Sequence, residues 1–252
     1  MRVALQPNYI YLPQVDSTNK YLKERAETLP DFSVCYSLNQ YAGTGRRGHA
    51  WHGKGEGMLA VSFLLHSALL QDMPVLPLLC ALCAVRVLKK KTNADFLIKW
   101  PNDVVLQGKK ICGILCESRI VGDRTFAVCG IGFNLLARDE TYLQAGLPHA
   151  GSVLALTGVS LEPEEVLRDF ILEFDGVFEE YRREDSFACF LEEYRALSVN
   201  IGKEVRVLFP EGEQTGSCVG IGEDGALLVQ IGENVRHVRS GEASVRGFYG
   251  YV

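Results

Sequence analysis

The segment DFLIKWPNDVVLQGKKICGILCESRI, residues 95–120, decides the fold of this chain. It places apolar runs on both sides of a turn at residues 107–108, an arrangement typical of two joined β-strands. Pro101 interrupts the first run and disfavours helical backbone in the residue before it, so a second turn is predicted there. That turn presents Asn102 and Asp103 at the end of a strand. The segment therefore predicts consecutive strands with polar side chains at one end.

Two lysines follow the turn at residues 107–108 and open the strand ICGIL. A lysine whose neighbours alternate into a sheet is half-buried, and a half-buried cation is stabilised by an anion. Lys110 is therefore a candidate ligand-binding residue. The alternative is a solvated lysine in a hairpin turn, and this segment alone leaves both interpretations open.

Apolar periodicity elsewhere predicts a mixture of strands and helices. Strands are predicted over residues 9–15, 33–38, 58–66 and 124–136, and helices over residues 20–29, 73–91, 162–183 and 187–199. From Gly202 onward, short alternating runs are separated by the turn sequences PEGEQ, GEDG and GEN. The prediction is an α+β fold with a mixed sheet and helices, divided into residues 1–199 and a small β domain of residues 200–252.

Bulk composition narrows the classes of function. Of the 252 residues, 47% are hydrophobic and 23% charged, as in an ordinary globular protein, and the formal net charge of −5 argues against a general nucleic-acid surface. The chain shows no signal peptide and no window approaching 18 uninterrupted apolar residues, so a cytoplasmic protein is predicted. The eight cysteines are dispersed through apolar sequence, which predicts reduced core thiols and no metal site.

The glycine-rich segment QYAGTGRRGHAWHGKG, residues 40–55, contains two overlapping nucleotide-binding motifs. Residues 43–48 match G-x-G-x-x-G, and residues 48–54 match the P-loop pattern G-x-x-x-x-G-K. Both motifs need a helix to begin at the glycines, and the glycines that follow disfavour one. The P-loop pattern also lacks the Ser or Thr that binds Mg²⁺. Both motifs are therefore rejected, and a flexible loop is predicted.

The same segment is a cationic island in an acidic chain. Arg46, Arg47 and Lys54 lie in it without a carboxylate. Such an island predicts a small anionic ligand rather than a polymer. The alternative is a glycine-rich surface hairpin whose arginines face water.

Five short motifs occur in one order along the chain: D-S-T-N, Q-x-x-G-x-G-R-R-G-x-x-W, K-W-P-N-D, K-x-x-G-I-L-x-E and G-x-G-x-N. They stand at residues 16–19, 40–51, 99–103, 110–117 and 130–134. In this order the chain resembles the biotin protein ligase family over about residues 8–200. The resemblance implies a mixed-sheet core like that of class II aminoacyl-tRNA synthetases and a small C-terminal SH3-like β-barrel.

The resemblance also implies an activity. Such ligases activate the biotin carboxylate with ATP as biotinyl-5′-adenylate, then pass biotin to one lysine of a carboxylase carrier domain. The implied biotin-binding residues are Ser17, Thr18, Gln40, Gly43, Thr44, Lys110, Leu115 and Gly130. The implied nucleotide-binding residues are Arg46, Arg47, Trp51, Lys110, Asn134 and Arg246.

Three of these positions carry implied catalytic roles. Lys110 would bridge the biotin carboxylate and the α-phosphate, where its fixed charge stabilises the charge that develops. Arg46 would neutralise phosphate charge, and Asp103 would orient or deprotonate the acceptor lysine. Mg²⁺ is expected as the partner of ATP, with no metal ligands from the protein.

Two residues depart from the family pattern, and three other points stay open. Thr44 and His49 replace arginines found in many relatives, and the neutral histidine lowers the positive charge near ATP. A lipoate ligase and a non-catalytic biotin-binding module are the alternative functions. Because the motif-bearing core starts by about residue 8, a monofunctional ligase without DNA or membrane contact is expected. The resemblance does not decide whether the protein forms a homodimer. It also does not decide whether residues 139–157, which include Ser152, close over the adenylate.

Overall fold

The computed structural model describes residues 7–53, 57–66, 70–209, 212–240 and 244–247. Before residue 200, these ranges contain the strands β1 (Asn8–Tyr11), β2 (Ser33–Ser37), β3 (Gln40–Thr44), β4 (Ala50–Gly53), β5 (Met58–Leu65), β6 (Leu97–Lys99), β7 (Asp103–Leu106), β8 (Lys109–Val121) and β9 (Arg124–Asn134). Seven of them form a mixed sheet in the order β1-β2-β5-β9-β8-β7-β6, and β3 pairs with β4 as a separate hairpin. In the large sheet β1 and β2 run parallel, and the other neighbours run antiparallel.

The helices are α1 (Thr18–Glu24), α2 (Leu76–Thr92), α3 (Asp139–Gln144), α4 (Val153–Thr157), α5 (Pro163–Glu184) and α6 (Leu191–Leu197). Each long helix follows from its sequence. In α2 every residue from Leu76 to Leu88 except Arg86 is buried, and α5 opens with a proline and two glutamates that suit a helix N-terminus. Among the described helices, none combines the length and apolar composition needed to cross a membrane.

The two faces of the large sheet are used differently. Alternate side chains of β5 and β9 pack against α2 and α5, and Phe63 of β5 lies 4.4 Å from Phe174 of α5 between ring centroids. The opposite face is covered at one end by α1, where Leu22 packs on Leu64 and Val128. At its other end that face carries the candidate site described below.

The C-terminal unit is a five-stranded antiparallel sheet. Its strands are β10 (Glu204–Phe209), β11 (Gly212–Ile221), β12 (Leu227–Ile231), β13 (Asn234–Val238) and β14 (Ser244–Gly247), in the order β13-β12-β11-β10-β14. It is tied to the turn after β6, because Trp100 donates its Nε1–H to the carbonyl of Gly225 at 3.0 Å. The Trp100 backbone N–H also donates to Asn200 Oδ1 at 2.8 Å. The α+β architecture is confirmed, and closure of this sheet into an SH3-like barrel stays a prediction.

Several predicted boundaries were wrong. Helix α1 begins at Thr18 rather than residue 20, because Ser17 caps it and accepts from the Lys20 N–H at 3.4 Å. The first strand ends at Tyr11, ahead of a proline that lacks a ladder donor. The helix predicted over residues 187–199 starts instead with a 3₁₀ turn at residues 187–190.

The glycine-rich segment is a hairpin rather than the predicted loop. A 3₁₀ turn, Arg46–Gly48, joins β3 to β4. No α-helix begins among its described residues 40–53, whereas both nucleotide motifs need one at their glycines. Lys54, the third cation of the predicted island, lies outside the described residues.

The eight cysteines are free thiols, and three of them meet in the core. Cys80 of α2, Cys116 of β8 and Cys129 of β9 place their sulfur atoms within 4.8 Å of one another. Burial raises the pKa of the Cys80 and Cys116 thiols well above the ordinary value. Burial also opposes ionisation of Cys129, but hydrogen bonds from Cys116 and Cys80 outweigh it and lower the pKa of Cys129.

The aromatic packing between α5 and the sheet generates a stability prediction. Phe174→Ala removes a fully buried ring and is expected to lower the free energy of unfolding by about 3–5 kcal/mol. Leu172→Ala, two residues away on the exposed side of the same helix, should change it by no more than about 0.5 kcal/mol. Urea unfolding of both variants measures the difference, and equal losses would contradict this account of the core.

Candidate active site

A cavity of about 450 Å³ opens on this face of the sheet, and Gly113, Gly130 and Gly132 line it. It lies between the start of α1, the hairpin β3–β4, the turn at residues 100–102 and the C-terminal sheet. Among the described residues that line it, five are cationic and one is a carboxylate: Arg46, Arg47, Lys99, Lys110 and Arg206 against Asp103. This excess of positive charge in a chain of net charge −5 favours an anionic ligand.

One end of the cavity is polar but uncharged. Ser17 and Thr18 lie at the start of α1, and Gln40 lies at the start of β3. The Gln40 Oε1 atom accepts from the Thr18 backbone N–H at 2.9 Å and from the Thr18 hydroxyl at 3.2 Å. This pair holds the hairpin against the helix and presents uncharged hydrogen-bonding groups to a ligand.

Ser62 of β5 supports this polar end from behind. Its Oγ lies 2.7 Å from both the Thr18 Oγ1 and the Asn19 Oδ1 atoms. Asn19 Oδ1 can only accept, so the Ser62 proton is directed to it. The Thr18 hydroxyl proton is then shared between two acceptors, Ser62 Oγ and Gln40 Oε1. The Thr18 hydroxyl can therefore donate to a ligand oxygen instead, and no buried donor is left unpaired.

Three glycines on β8 and β9 leave a flat patch beneath the cavity. A Cβ atom on Gly130 would lie 1.9 Å from Asn19 Oδ1, and one on Gly132 would lie 2.3 Å from the Trp51 indole. A Cβ atom on Gly113 would lie 2.6 Å from the same indole. The glycines therefore allow Asn19 and Trp51 to lie directly against the sheet. Gly130 itself lines the cavity, and its expected contact with biotin stays a prediction.

The charged end of the cavity is organised around Lys110. Its Nζ atom lies 2.6 Å from Asp103 Oδ1 and 5.2 Å from the centroid of the Trp51 ring. Both members of the ion pair are largely buried, with side-chain exposures of 23% and 13%. The interpretation of Lys110 as half-buried is therefore correct, and the solvated alternative is wrong. The Trp51 Nε1–H is buried without an acceptor among the described residues, so a ligand oxygen can be accommodated there.

The two arginines of the hairpin differ in environment. Arg46 is half-buried and its Nη1 atom donates to Asn102 Oδ1 at 3.4 Å. Burial lowers the pKa of Arg46, so its charged form gains from an added anion. Arg47 is exposed, has a left-handed backbone with φ of 55°, and donates to the carbonyl of Leu208 in β10 at 3.2 Å. Thus Arg46 is directed into the cavity, and Arg47 links the hairpin to the C-terminal sheet.

The remaining predicted residues lie at different distances from the cavity. Thr44 and Leu115 line it, whereas Gly43 packs beneath Gln40 within the hairpin. Asn134 is buried and donates to the Lys110 carbonyl at 3.3 Å, outside the set of lining residues. The side chain of Arg246 lies outside the described part of the chain.

The segment 139–157 forms α3 and α4. Ser152 caps α4 and donates to the Ala137 carbonyl, so it does not face the cavity. The segment is attached to β8, because the Lys110 N–H donates to the His149 carbonyl at 2.7 Å and the Gly151 N–H donates to the Lys110 carbonyl. Sequence reasoning assigned no role to several residues that line or support the cavity: Asn19, Ser62, Asn102, His149 and Arg206. Asn19 and Asn102 belong to quoted motifs, while the other three carry no sequence signal.

The arrangement suits an elongated acid that ends in a neutral polar group. The uncharged end offers hydroxyl and amide groups, Leu115 lines the middle, and the cations surround the other end. A lysine beside an arginine can hold a carboxylate and a phosphate together and stabilise charge that develops between them. The cavity can therefore accept an elongated acid together with a phosphate.

Comparison with known proteins agrees with this chemistry. A family model described as the biotin/lipoate A/B protein ligase family matches residues 11–134, and one described as the biotin protein ligase C terminal domain matches residues 201–246. The chain is 30% identical to the bifunctional ligase/repressor BirA of Escherichia coli K12, an alignment covering 93% of this chain and 73% of that protein. It is 32% identical to the biotin–[acetyl-CoA-carboxylase] ligase of Paracoccus denitrificans, covering 87% and 92% respectively.

A solved structure of similar fold extends over nearly the whole chain. Biotin protein ligase from Aquifex aeolicus in complex with biotin and ATP matches with a TM-score of 0.80 at 32% identity. The match covers 95% of this chain and 99% of that chain.

The flat glycine patch generates a second prediction. Gly130→Ala places a methyl group on the Asn19 amide, so it should lower the free energy of unfolding by about 1–3 kcal/mol. Gly220→Ala makes the same change in β11, where the nearest atom is 3.8 Å away, and should change it by no more than about 0.5 kcal/mol. Chemical denaturation compares the two. A Gly130→Ala protein as stable as the Gly220→Ala protein would show that Asn19 does not need this space.

Proposed function

The chain belongs to the biotin protein ligase family, and from that premise we propose how its side chains carry out the reaction. The protein is an ATP-dependent biotin ligase. It joins the biotin carboxylate to ATP as biotinyl-5′-adenylate, with release of diphosphate. It then transfers the biotinyl group to a lysine of a carboxylase carrier domain.

The division of the cavity into an uncharged and a cationic end is the observation that carries the proposal. Biotin has a neutral ureido head, an apolar chain and a carboxylate. We place the head at Ser17, Thr18 and Gln40, which offer uncharged hydrogen-bonding groups, and the chain along Leu115. The Thr18 hydroxyl turns its proton from the protein network to the ureido oxygen. The carboxylate then lies near Lys110.

The Lys110–Asp103 ion pair is the resting form of the catalytic cation. When the biotin carboxylate and the α-phosphate enter, two new anions compete with Asp103 for the Lys110 ammonium. Lys110 exchanges its 2.6 Å contact with Asp103 for contacts to the reacting oxygens, so its positive charge is paired with an anion throughout. As the carboxylate oxygen attacks the α-phosphorus and diphosphate leaves, Lys110 and Arg46 stabilise the added negative charge.

The nucleotide is assigned to the side of the cavity formed by the hairpin. Trp51 offers a ring face beside Lys110 for the adenine, and its unpaired Nε1–H offers a donor. Arg47 adds positive charge toward the phosphates. Asn134 acts indirectly, because its amide holds the backbone carbonyl of Lys110. Arg246 is assigned to the nucleotide by the resemblance alone.

Asp103 is assigned to the transfer step. The acceptor lysine attacks the acyl carbon only as a neutral amine. Once Lys110 has moved to the adenylate, Asp103 is available to take the proton from that amine as the new C–N bond forms and AMP departs. The carboxylate thus serves first as the counter-ion of Lys110 and then as the general base.

Mg²⁺ is proposed as a partner of ATP. Asp103 is the single carboxylate among the described lining residues, so this donor set fits an ion held mainly by phosphate oxygens rather than a protein cage. When bound, the ion would supply charge neutralisation for the departing diphosphate. Protein side chains supply the binding of biotin and the handling of protons.

We also propose a division of the chain at residues 199/200, with the C-terminal sheet completing the site. The separate family matches to residues 11–134 and 201–246 support this division. Arg206 and Val245 of the C-terminal sheet line the cavity, so the small unit closes the side that faces the nucleotide. A lipoate ligase and a binding module without catalysis are the alternatives, and exchange of diphosphate into ATP with biotin or lipoate as the acid separates all three.

Lys110→Ala tests the assignment of the catalytic cation. It should reduce biotin-dependent exchange of diphosphate into ATP by about 100-fold or more, because the charge that stabilises the adenylation transition state is lost. Lys109→Ala is the matched control, since Lys109 precedes it on β8 and does not line the cavity. Similar turnover in the two variants would refute the role of Lys110, and exchange with lipoate alone would refute the substrate.

Asp103→Asn separates the two half-reactions. Single-turnover transfer from preformed biotinyl-5′-adenylate to the carrier domain should slow by about 100-fold to 10,000-fold, because the amide cannot accept the proton. Formation of the adenylate should persist, since Lys110 and Arg46 remain. Asp95→Asn, at the exposed start of the same segment, is the control. Transfer at the normal rate by Asp103→Asn would exclude Asp103 as the base.

A further inference from the structure

The cluster of Cys80, Cys116 and Cys129 lies on the opposite face of the strands that carry the candidate site. Cys116 and Cys129 are directly paired across the antiparallel strands β8 and β9, and Cys80 approaches them from α2. Leu115 and Gly130, which line the active-site cavity, are their immediate chain neighbours. The three sulfurs therefore connect the helix layer to the strands that form the floor of the cavity.

The geometry of the cluster matches a metal centre. Three sulfurs around one ion, at metal–sulfur distances of about 2.3 Å, lie about 4 Å apart. The observed group places all three sulfur atoms within 4.8 Å of one another. Sulfur atoms this close, from three separate elements, need little rearrangement to bind one ion.

The donor set selects the kind of ion. All three donors are sulfur, and the cluster includes no histidine or carboxylate among the described residues. Soft thiolate donors favour Cu(I), whereas Zn²⁺ in structural sites takes four ligands.

We propose that Cys80, Cys116 and Cys129 form a binding site for one soft monovalent ion of the Cu(I) class. The ion enters from the side of Cys116, the half-buried member of the cluster, while Cys80 and Cys129 are fully buried. Each sulfur that binds the ion loses its thiol proton to solvent as its metal–sulfur bond forms, with no change in the oxidation state of copper or sulfur. The bound ion cross-links α2 to β8 and β9. This site is independent of the ligase reaction.

The test is an anaerobic titration of the whole protein with Cu(I) held by the chelator bicinchoninate. The unaltered protein should remove one equivalent of Cu(I) and show a higher unfolding temperature, because the three converging sulfurs of the folded protein hold the ion more tightly than the dispersed cysteines of the unfolded chain do. Cys129→Ser should weaken Cu(I) binding by about 100-fold or more, since one of three ligands is lost. Two controls should bind as the unaltered protein does: Cys83→Ser, one turn from Cys80 on α2, and Cys189→Ser, which removes the exposed thiol.

A second measurement needs no variant and covers the case in which Cys129→Ser fails to fold. X-ray absorption at the copper edge of the loaded protein should show three sulfur neighbours. The proposal is overturned if the unaltered protein takes no Cu(I) from the chelator, if Cys129→Ser binds as tightly as Cys83→Ser, or if the copper neighbours are nitrogen or oxygen.

Discussion

The site depends on the absence of side chains at Gly113, Gly130 and Gly132, where β8 and β9 pair. A methyl group at any of these positions would meet Asn19, Trp51 or Lys110 at distances that atoms do not tolerate. Because the patch is flat, the Asn19 amide and the Trp51 indole can lie on the sheet itself. The amide then fixes Ser62 and, through it, Thr18, while the indole lies beside Lys110. The lack of side chains at these three glycines thus sets the position of the groups at both ends of the cavity.

The second feature is a concentration of positive charge that the rest of the chain does not share. Confining several cations to one cavity is unfavourable unless anions compensate them. The structure compensates Lys110 with Asp103, a carboxylate that a substrate can replace. In the proposed reaction the same ion pair serves two steps. The carboxylate that adenylation displaces from the lysine would then act as the base for transfer.

Much of this could be predicted from the sequence, because local chemistry decides it. The strands around residues 107–108, the long helix α5 and the small β unit all follow from periodicity and turn residues. The hairpin at residues 40–53 was mistaken for a loop, since its pairing depends on contacts with Val15 and Asp16 that no local pattern shows. Ser62 and Arg206 had no sequence signal, because only the folded chain brings them to the cavity. The same holds for the three cysteines, which come from three separate elements.

The central claim is that Lys110 exchanges its partner, leaving Asp103 for the reacting oxygens. The most direct measurement is a crystal structure of the protein with a stable analogue of biotinyl-5′-adenylate. The account predicts that Lys110 Nζ contacts the oxygens at the acyl–phosphate junction, that Asp103 no longer contacts it, and that the ureido head lies at Thr18 and Gln40. An unchanged Lys110–Asp103 contact, with the acyl–phosphate junction bound elsewhere, would contradict it.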